Sequence, residues 1–236
     1  LVHDGNYQHM SISESLLVQG LPAFFQYQNQ FGANAMMMMS LAMNESNYGR
    51  SALAFSRNNL FGHAAYDEDV DANASGYRKV ADSIYYHAND YISRSYLNPD
   101  SFTYHGAHFG NKAGGMNVSY ASDPYWGEKA AQFYLNIDEA FGKKDYEAYR
   151  IGVSFTKTVK VKKDASDAST TLYSAPAYQE TSFLILSEQT QDDVLWYEVA
   201  LDTPLLDGKN GRNYDFSQSR GYVKASDLDY ASKKTP

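Results

Sequence analysis

A single carboxylate stands out in the stretch Leu41-Ala42-Met43-Asn44-Glu45-Ser46-Asn47-Tyr48-Gly49-Arg50-Ser51. The preceding residues, 33–43, place apolar side chains on every face of the helix they predict, which is typical of a buried helix. Glycine just past a last turn is a common helix terminator, so Gly49 predicts where this helix stops. A carboxyl group held against apolar walls resists ionisation, and a general acid needs that protonated state. Glu45 is therefore the first candidate for catalysis.

Two further motifs follow Glu45 along the chain. Residues 58–63 read Asn-Asn-Leu-Phe-Gly-His, and residues 120–129 read Tyr-Ala-Ser-Asp-Pro-Tyr-Trp-Gly-Glu-Lys. Together with Glu-Ser-x-Tyr-Gly-x-Ser at 45–51, and in this order, they resemble the endo-β-N-acetylglucosaminidases of bacterial cell-wall autolysins, glycoside hydrolase family 73. Residues 110–118, Gly-Asn-Lys-Ala-Gly-Gly-Met-Asn-Val, add to the likeness. The resemblance covers roughly the first 145 residues.

The resemblance implies a mostly α-helical, lysozyme-like catalytic domain that acts on the glycan strands of peptidoglycan. It implies that Glu45 protonates the leaving oxygen when the β-1,4 bond after N-acetylglucosamine is cut, and that Tyr120 holds the reacting sugar or its acetamido group. Contacts with the substrate are expected from five further residues: Asn59, Phe61, His63, Tyr125 and Trp126. A core role is an open alternative for Phe61 and Trp126, because large aromatic side chains usually pack in cores.

A second catalytic carboxylate is not singled out. An inverting glycosidase needs a base about 6.5–9.5 Å from the acid, and a retaining one needs a closer nucleophile. The acidic loop after the second motif offers Asp67, Glu68 and Asp71. The substrate's own acetamido oxygen is a third route, which we favour. The loop does not predict a calcium site, because Ala72 and Arg78 stand where an EF-hand needs glycine and glutamate.

Composition excludes several other functions. The chain has no cysteine, which excludes thiol nucleophiles and disulfides. Its formal net charge of −8 argues against nucleic acid as a ligand. No run of eighteen apolar residues predicts a membrane span. We expect no metal and no cofactor, a monomer, and a secreted protein of a Gram-positive cell wall. The start at Leu1, without a signal peptide, is expected for a mature fragment of a longer protein.

Periodicity predicts an α+β protein with two domains. Residues 1 to about 22 read as an irregular lead-in, with a helix beginning near Leu21-Pro22 and further helices at 51–55, 80–92 and 128–141. From Ile151 onward the period becomes two, which predicts short strands. Roughly residues 152–230 resemble the bacterial SH3-like wall-binding domains, which are small β-barrels. The predicted domains are 1–146, catalytic, and 150–236, bound to a cell-wall polymer.

Two other functions stay open. A muramidase or lytic transglycosylase can use the same type of α-domain, because a fold does not fix which bond is cut. A non-catalytic wall-binding or adhesion module is the second alternative. The sugar at the end of the glycan that cleavage creates distinguishes the enzymes from one another. Replacement of Glu45 distinguishes an enzyme from a binding module.

Overall fold

The computed structural model, which describes residues 11–63, 76–201 and 215–232, has a helical half followed by a sheet. The α-helices are α1 (Leu16–Phe31), α2 (Ala35–Ser46), α3 (Ala52–Arg57), α4 (Val80–Tyr86) and α5 (Trp126–Ala140). A π-helix, His87–Tyr96, continues α4, and 3-10 turns lie at Ile12–Glu14, Met116–Val118 and Ala225–Asp227. Within these described ranges, no helix has both the length and the apolar character needed to cross a membrane.

Helix α1 begins earlier than the sequence predicted. Ser15 caps it, because its Oγ accepts a hydrogen bond from Leu17 N at 3.1 Å and donates one to Tyr48 O at 2.6 Å. Pro22, predicted in a first turn, lies inside the helix. The irregular lead-in was therefore wrong from Leu16 onward, since burial of Leu16 and Leu17 in the core holds the helix to its capped start.

Helix α2 ends where the next residues turn the chain back. Its buried residues include Met38, Leu41 and Ala42, whereas four of its methionines are only half-buried, so it is not covered on every face. Three consecutive residues with positive φ, at 50°, 60° and 70°, follow the helix at positions 47–49. The last is Gly49, where a Cβ would stand 2.5 Å from Leu17 N. Glycine is required at this turn.

The helix predicted at 80–92 is longer and changes type. After Tyr86 the backbone hydrogen bonds connect residues that are five apart in sequence, as from Leu97 N to Ile92 O at 2.9 Å. Hydrogen bonds that span five residues bring His87, Tyr91 and Tyr96 onto one face. Such helices are rare and are found frequently at functional sites.

The second half of the described chain is an antiparallel sheet with strand order β3-β2-β6-β5-β4-β1-β7. The strands are β1 (Arg150–Ser154), β2 (Val159–Lys162), β3 (Thr171–Ala175), β4 (Thr181–Gln191), β5 (Val194–Ala200), β6 (Arg220–Lys224) and β7 (Tyr230–Ala231). In β4 the buried residues alternate with less buried ones, as period two predicts. The register of β4 against β5 shifts between Ile185 and Ser187.

The two halves have separate hydrophobic cores. The helical core includes Phe24, Leu41, Leu60 and Ile84, and the buried members of the sheet core all lie between residues 159 and 223. Because the sheet core is formed by strands and their connections, the sheet covers much of its own apolar face. The boundary predicted at 146–150 stays a prediction, and the two cores lie on either side of it.

The turn before β4 and the first residues of β4 hold the sheet against the helical half. Three contacts connect them: Gln179 Nε2 to Tyr104 O, Ser182 Oγ with His108 Nδ1 at 3.0 Å, and a parallel bridge between Gly114 and Glu180. All three fall on one loop, residues 104–115, which leads into the segment that carries Tyr120.

Replacing Gly49 with alanine should destabilise the fold. The variant must keep φ near 70° and move the start of α1 away from the new Cβ, at a cost of about 1–3 kcal/mol. Urea unfolding measures the loss. Gly142→Ala is the matched control, because Gly142 also has positive φ, 94°, but nothing lies within 4 Å of its Cβ position. Equal losses in the two variants would contradict the packing argument.

Candidate active site

Glu45 lies in the last turn of α2 and is exposed. It continues the buried stripe of Met38 and Leu41 by one turn, to the point where the helical core ends. The prediction that apolar walls enclose this carboxyl group is therefore wrong for the residues that the structure describes. A helical pattern shows which face is buried, but it does not show how far along the helix the core extends.

Two hydrogen bonds fix one oxygen of Glu45. Oε1 accepts from Trp126 Nε1 at 2.9 Å and from Asn44 Nδ2 at 3.4 Å. Oε2 lies on the other side, 3.9 Å from the point where a Cβ on Gly62 would stand. The carboxyl group thus has one anchored oxygen and one that faces the glycine of the second motif.

Trp126 and Tyr120 form a stacked pair beside Glu45, with ring centroids 4.2 Å apart and 22° between planes. Trp126 is only 4% exposed, so the structure places its indole in the core and against Glu45, not on an open sugar-stacking surface. Burial, and next the nearby Glu45, raise the pKa of the Tyr120 hydroxyl well above its usual range. Tyr120 therefore keeps its proton and can donate a hydrogen bond, but it cannot serve as a base at neutral pH.

The loop that carries Tyr120 is tied down on both sides of that residue. Lys112 Nζ donates to Asn117 O at 2.6 Å and to Ala121 O. The fully buried Asn117 donates through Nδ2 to the carbonyls of Asp123-Pro124, each at 3.1 Å. These bonds fix where the tyrosine ring leaves the backbone. Neither Lys112 nor Asn117 was predicted to have a role, although both lie in the 110–118 segment that carries part of the resemblance.

The start of α5 is also held closely. A Cβ on Gly127 would stand 1.9 Å from Gly110 O, so glycine is required here by the approach of two backbones. Asp123 accepts from Tyr125 N at 2.9 Å and pairs with Lys129 at 2.6 Å, so its role at the start of the helix is structural. Tyr125 itself is 66% exposed at the rim of the site.

The Asn-Asn-Leu-Phe-Gly motif forms a turn that faces Glu45. Asn59 is buried; its Oδ1 accepts from the backbone N–H of Phe61 and of His63, both at 3.2 Å, and its Nδ2 donates to His63 O at 2.7 Å. Phe61 is buried against the edge of Phe24. Both residues were candidates for substrate contact, and the structure places both in the core, where they shape the turn.

His63 enters a buried group that we call the histidine cluster, made of Tyr77, His63 and His87. His63 Nδ1 lies 2.9 Å from the Tyr77 hydroxyl, and His63 Nε2 lies 3.1 Å from His87 Nδ1. Burial lowers the pKa of His63 to about 4. Burial is the main cause that lowers the pKa of His87 well below its usual value, and the electrostatic effect of His63 is the second. Both rings are therefore neutral at pH 7.

These contacts connect the three motifs beside Glu45. Trp126 bonds to Glu45 and stacks on Tyr120, and the Tyr120 ring meets His87 edge to face at 6.5 Å. His87 contacts His63, whose neighbour Gly62 lies near Glu45 Oε2. The three predicted carboxylates, Asp67, Glu68 and Asp71, lie outside the described residues. Within the described chain, no group of three or more potential metal ligands is present.

A cavity lies elsewhere, between the two halves of the described chain. It has a volume of about 1300 Å³ and is bounded by Met37 and Leu41 on the helical side and by Leu184 and Ala200 on the sheet side. Glu45 does not line it. Among the described residues, Glu45 instead lies exposed at the surface.

Comparison with known proteins identifies the family of the helical half. The Glucosaminidase family model, described as mannosyl-glycoprotein endo-beta-N-acetylglucosaminidase, matches residues 21–139 of the 236. Two proteins of Streptococcus pneumoniae, from serotype 4 strain TIGR4 and from strain R6, each carry the name "Putative endo-beta-N-acetylglucosaminidase". Each is 38% identical over 142 residues, which is 60% of this chain and 21% or 19% of theirs. The chain spans about a fifth of the length of these curated relatives.

The matched residues form most of the helical half, which carries Glu45 and the stacked Trp126–Tyr120 pair, and the match defines this half as a glycosidase domain. The family match covers about half of the chain. This chain belongs to the endo-beta-N-acetylglucosaminidase family of glycoside hydrolases.

Stability should fall as the pH is lowered through the histidine range. The folded protein keeps His63 and His87 neutral, whereas in the unfolded chain both titrate near the ordinary value of 6.5. Above pH 6.5 the two histidines are neutral in the folded and in the unfolded protein, so their titration takes nothing from the free energy of unfolding. Below it, the unfolded state binds more protons, so stability is lost at up to about 1.4 kcal/mol per pH unit for each histidine.

Urea unfolding between pH 7.5 and 5 measures this slope, above the range where most carboxylates titrate. His63→Gln and His87→Gln should each flatten the pH dependence, whatever their effect on stability at pH 7.5. An unchanged slope in both variants would show that another group causes it.

Proposed function

We propose that this chain is a peptidoglycan hydrolase that cleaves the β-1,4 bond between N-acetylglucosamine and N-acetylmuramic acid, with Glu45 as the general acid. The observation that carries the proposal is the geometry of one carboxyl group. Trp126 anchors Oε1, and Oε2 faces the open side next to Gly62, where a glycan oxygen can approach. A general acid needs to be within hydrogen-bond reach of the oxygen that it protonates, and this side is accessible.

In the proposed reaction, Glu45 donates its proton to the O4 of N-acetylmuramic acid as the bond from O4 to C1 of N-acetylglucosamine breaks. The acetamido oxygen of the same N-acetylglucosamine attacks C1 and forms a cyclic intermediate. Water then opens this ring, and its proton returns to Glu45. Bound polymer covers the exposed carboxyl group and excludes bulk water from the transfer.

Tyr120 orients the acetamido group in this scheme. Its hydroxyl keeps its proton, because burial and Glu45 raise its pKa, so it is available as a hydrogen-bond donor. A water activated by Asp67, Glu68 or Asp71 is the alternative attacking group. We favour the acetamido route, because it needs no second carboxylate as the nucleophile.

The sheet is proposed to be an SH3-like barrel that tethers the enzyme to a cell-wall polymer. Its own core and its separate position after the helical half support this assignment. A tether raises the local concentration of glycan strands near Glu45. The protein is proposed to be secreted, bound to a Gram-positive wall, and active in cell separation or wall remodelling.

The identity of the new sugar end tests the bond assignment. Purified walls digested with the protein and reduced with borohydride should yield N-acetylglucosaminitol by mass spectrometry. Reduced muramic acid would indicate a muramidase, and a 1,6-anhydromuramic end would indicate a lytic transglycosylase. Either product would replace the proposed reaction.

Glu45→Gln should lower the rate of hydrolysis at least about 100-fold, because a general acid typically contributes a factor of 10²–10⁴ to the rate. Glutamine still offers an oxygen to Trp126 Nε1, so the site keeps its shape while the proton is lost. Glu128→Gln, an exposed acid in the first turn of α5, is the matched control and should retain activity. Wall binding without lysis in the unmodified protein and in both variants would support the non-catalytic alternative.

Trp126→Phe should lower the rate by about 3- to 10-fold, because the variant keeps an aromatic ring beside Tyr120 but loses the N–H that anchors Glu45. Turnover of a soluble glycan fragment measures the effect. Trp196→Phe makes the same change at a buried tryptophan of the sheet and should leave this turnover unchanged. If the two variants behave alike, the hydrogen bond to Glu45 does not contribute to catalysis.

A further inference from the structure

A row of hydrogen-bonded polar atoms runs between the aromatic side chains near the site of Glu45. It consists of the histidine cluster, with the Tyr77 hydroxyl at its outer end and His87 at its inner end. Apolar and aromatic rings enclose it, since Phe61 stacks on His87 at 3.7 Å and 5°, and Tyr91 stacks on His63 at 4.6 Å and 16°. His87 is fully buried, whereas Tyr77 is half-buried.

The number of protons in this row leaves two arrangements. A neutral imidazole has one N–H donor and one acceptor nitrogen, and each hydrogen bond holds one proton. In the first arrangement, Tyr77 donates to His63 Nδ1, His63 Nε2 donates to His87 Nδ1, and the remaining His87 proton stands on Nε2. In the second, every bond is reversed, and His87 Nε2 is an acceptor. The direction of the Tyr77 hydroxyl and the proton on His87 Nε2 are therefore coupled.

The inner end of the row lies next to Tyr120. His87 Nε2 is buried and has no hydrogen-bond partner among the described residues. The His87 ring meets Tyr120 at 77°, and Tyr96, on the same face of the π-helix, meets Tyr120 at 5.3 Å. The π-helix thus presents His87 and Tyr96 together to the residue that is proposed to hold the reacting sugar.

We propose that Tyr77, His63 and His87 form a hydrogen-bond relay that positions Tyr120 beside Glu45. The relay couples the direction of the half-buried Tyr77 hydroxyl to the proton on His87 Nε2, and the His87 ring meets Tyr120 edge to face with centroids 6.5 Å apart. None of the three is proposed to touch the reacting atoms; they are positioning residues, and their effect on turnover rests on the proposed function. Burial keeps both imidazoles neutral, which supplies the single proton per bond that the relay needs.

Nitrogen-15 NMR of the imidazole rings tests the relay without any substrate. In the unmodified chain at pH 7, His63 and His87 should both be neutral and should carry their proton on the same nitrogen, Nε2 where Tyr77 donates and Nδ1 where it accepts. Tyr77→Phe should change the tautomer ratio at His87 as well as at His63, although the lost hydroxyl is hydrogen-bonded to His63 and not to His87. Spectra of His63→Gln and His87→Gln assign the signals.

Tyr86→Phe is the matched control, because Tyr86 belongs to the same aromatic group and meets the His63 ring at 5.5 Å, but its hydroxyl is outside the relay. It should leave both tautomer ratios unchanged. A change confined to His63 in Tyr77→Phe, or equal changes in the two variants, would overturn the relay.

Turnover of a soluble glycan fragment tests the positioning role. Tyr77→Phe should lower kcat by about 3- to 10-fold, the effect of one lost hydrogen bond, and leave KM within about twofold. Tyr86→Phe should leave kcat unchanged. A change in KM alone would overturn the positioning role in favour of direct substrate contact. If the unmodified chain cleaves no glycan, the proposed function fails, whereas the NMR result still decides whether the relay exists.

Discussion

The hydrogen bond from Trp126 Nε1 to Glu45 is the contact on which the site depends. It joins the end of α2 to the start of α5, which are 81 residues apart in sequence. The position of Trp126 depends in turn on the backbone contact between Gly127 and Gly110 and on the carbonyls held by Asn117. An exposed carboxyl group at a helix end would otherwise sample many orientations. Here one of its oxygens is fixed by a side chain that is itself fixed by the core.

Much of the fold follows from local patterns, and what does not follow depends on distant contacts. The end of α2, the helix at 128–141 and the change to short strands after Ile151 were predicted from periodicity and glycine position. The early start of α1 was missed because its signal is a single serine cap. The exposure of Glu45 was missed because a helical stripe does not reveal the edge of the core. The π-helix was missed because its first residues also fit ordinary helical spacing.

The candidate site was predictable as a set of residues, but their individual places were not. Three motifs pointed to Glu45, Tyr120 and the Asn59–His63 turn, and the structure brings these together. It places Asn59, Phe61 and Trp126 in the core, because each fills a space or pairs a polar group that only the tertiary contacts define. His87 carried no motif. Its pairing with His63 spans 24 residues and depends on the π-helix that turns it inward.

The sheet is connected to the site by more than its place in the chain. Its contacts fall on residues 104–115, and that loop leads directly into the segment held by Lys112 and Asn117. A wall-bound sheet would therefore hold the loop next to Tyr120 as well as bring the enzyme to its substrate. The open position of Glu45 suits the same arrangement, because a polymer lies across a site and a closed cavity would admit only its ends. Since the described residues leave Glu45 exposed, a bound glycan would have to supply that cover under the proposed function, and such a site would favour cleavage within a long strand over cleavage of short fragments.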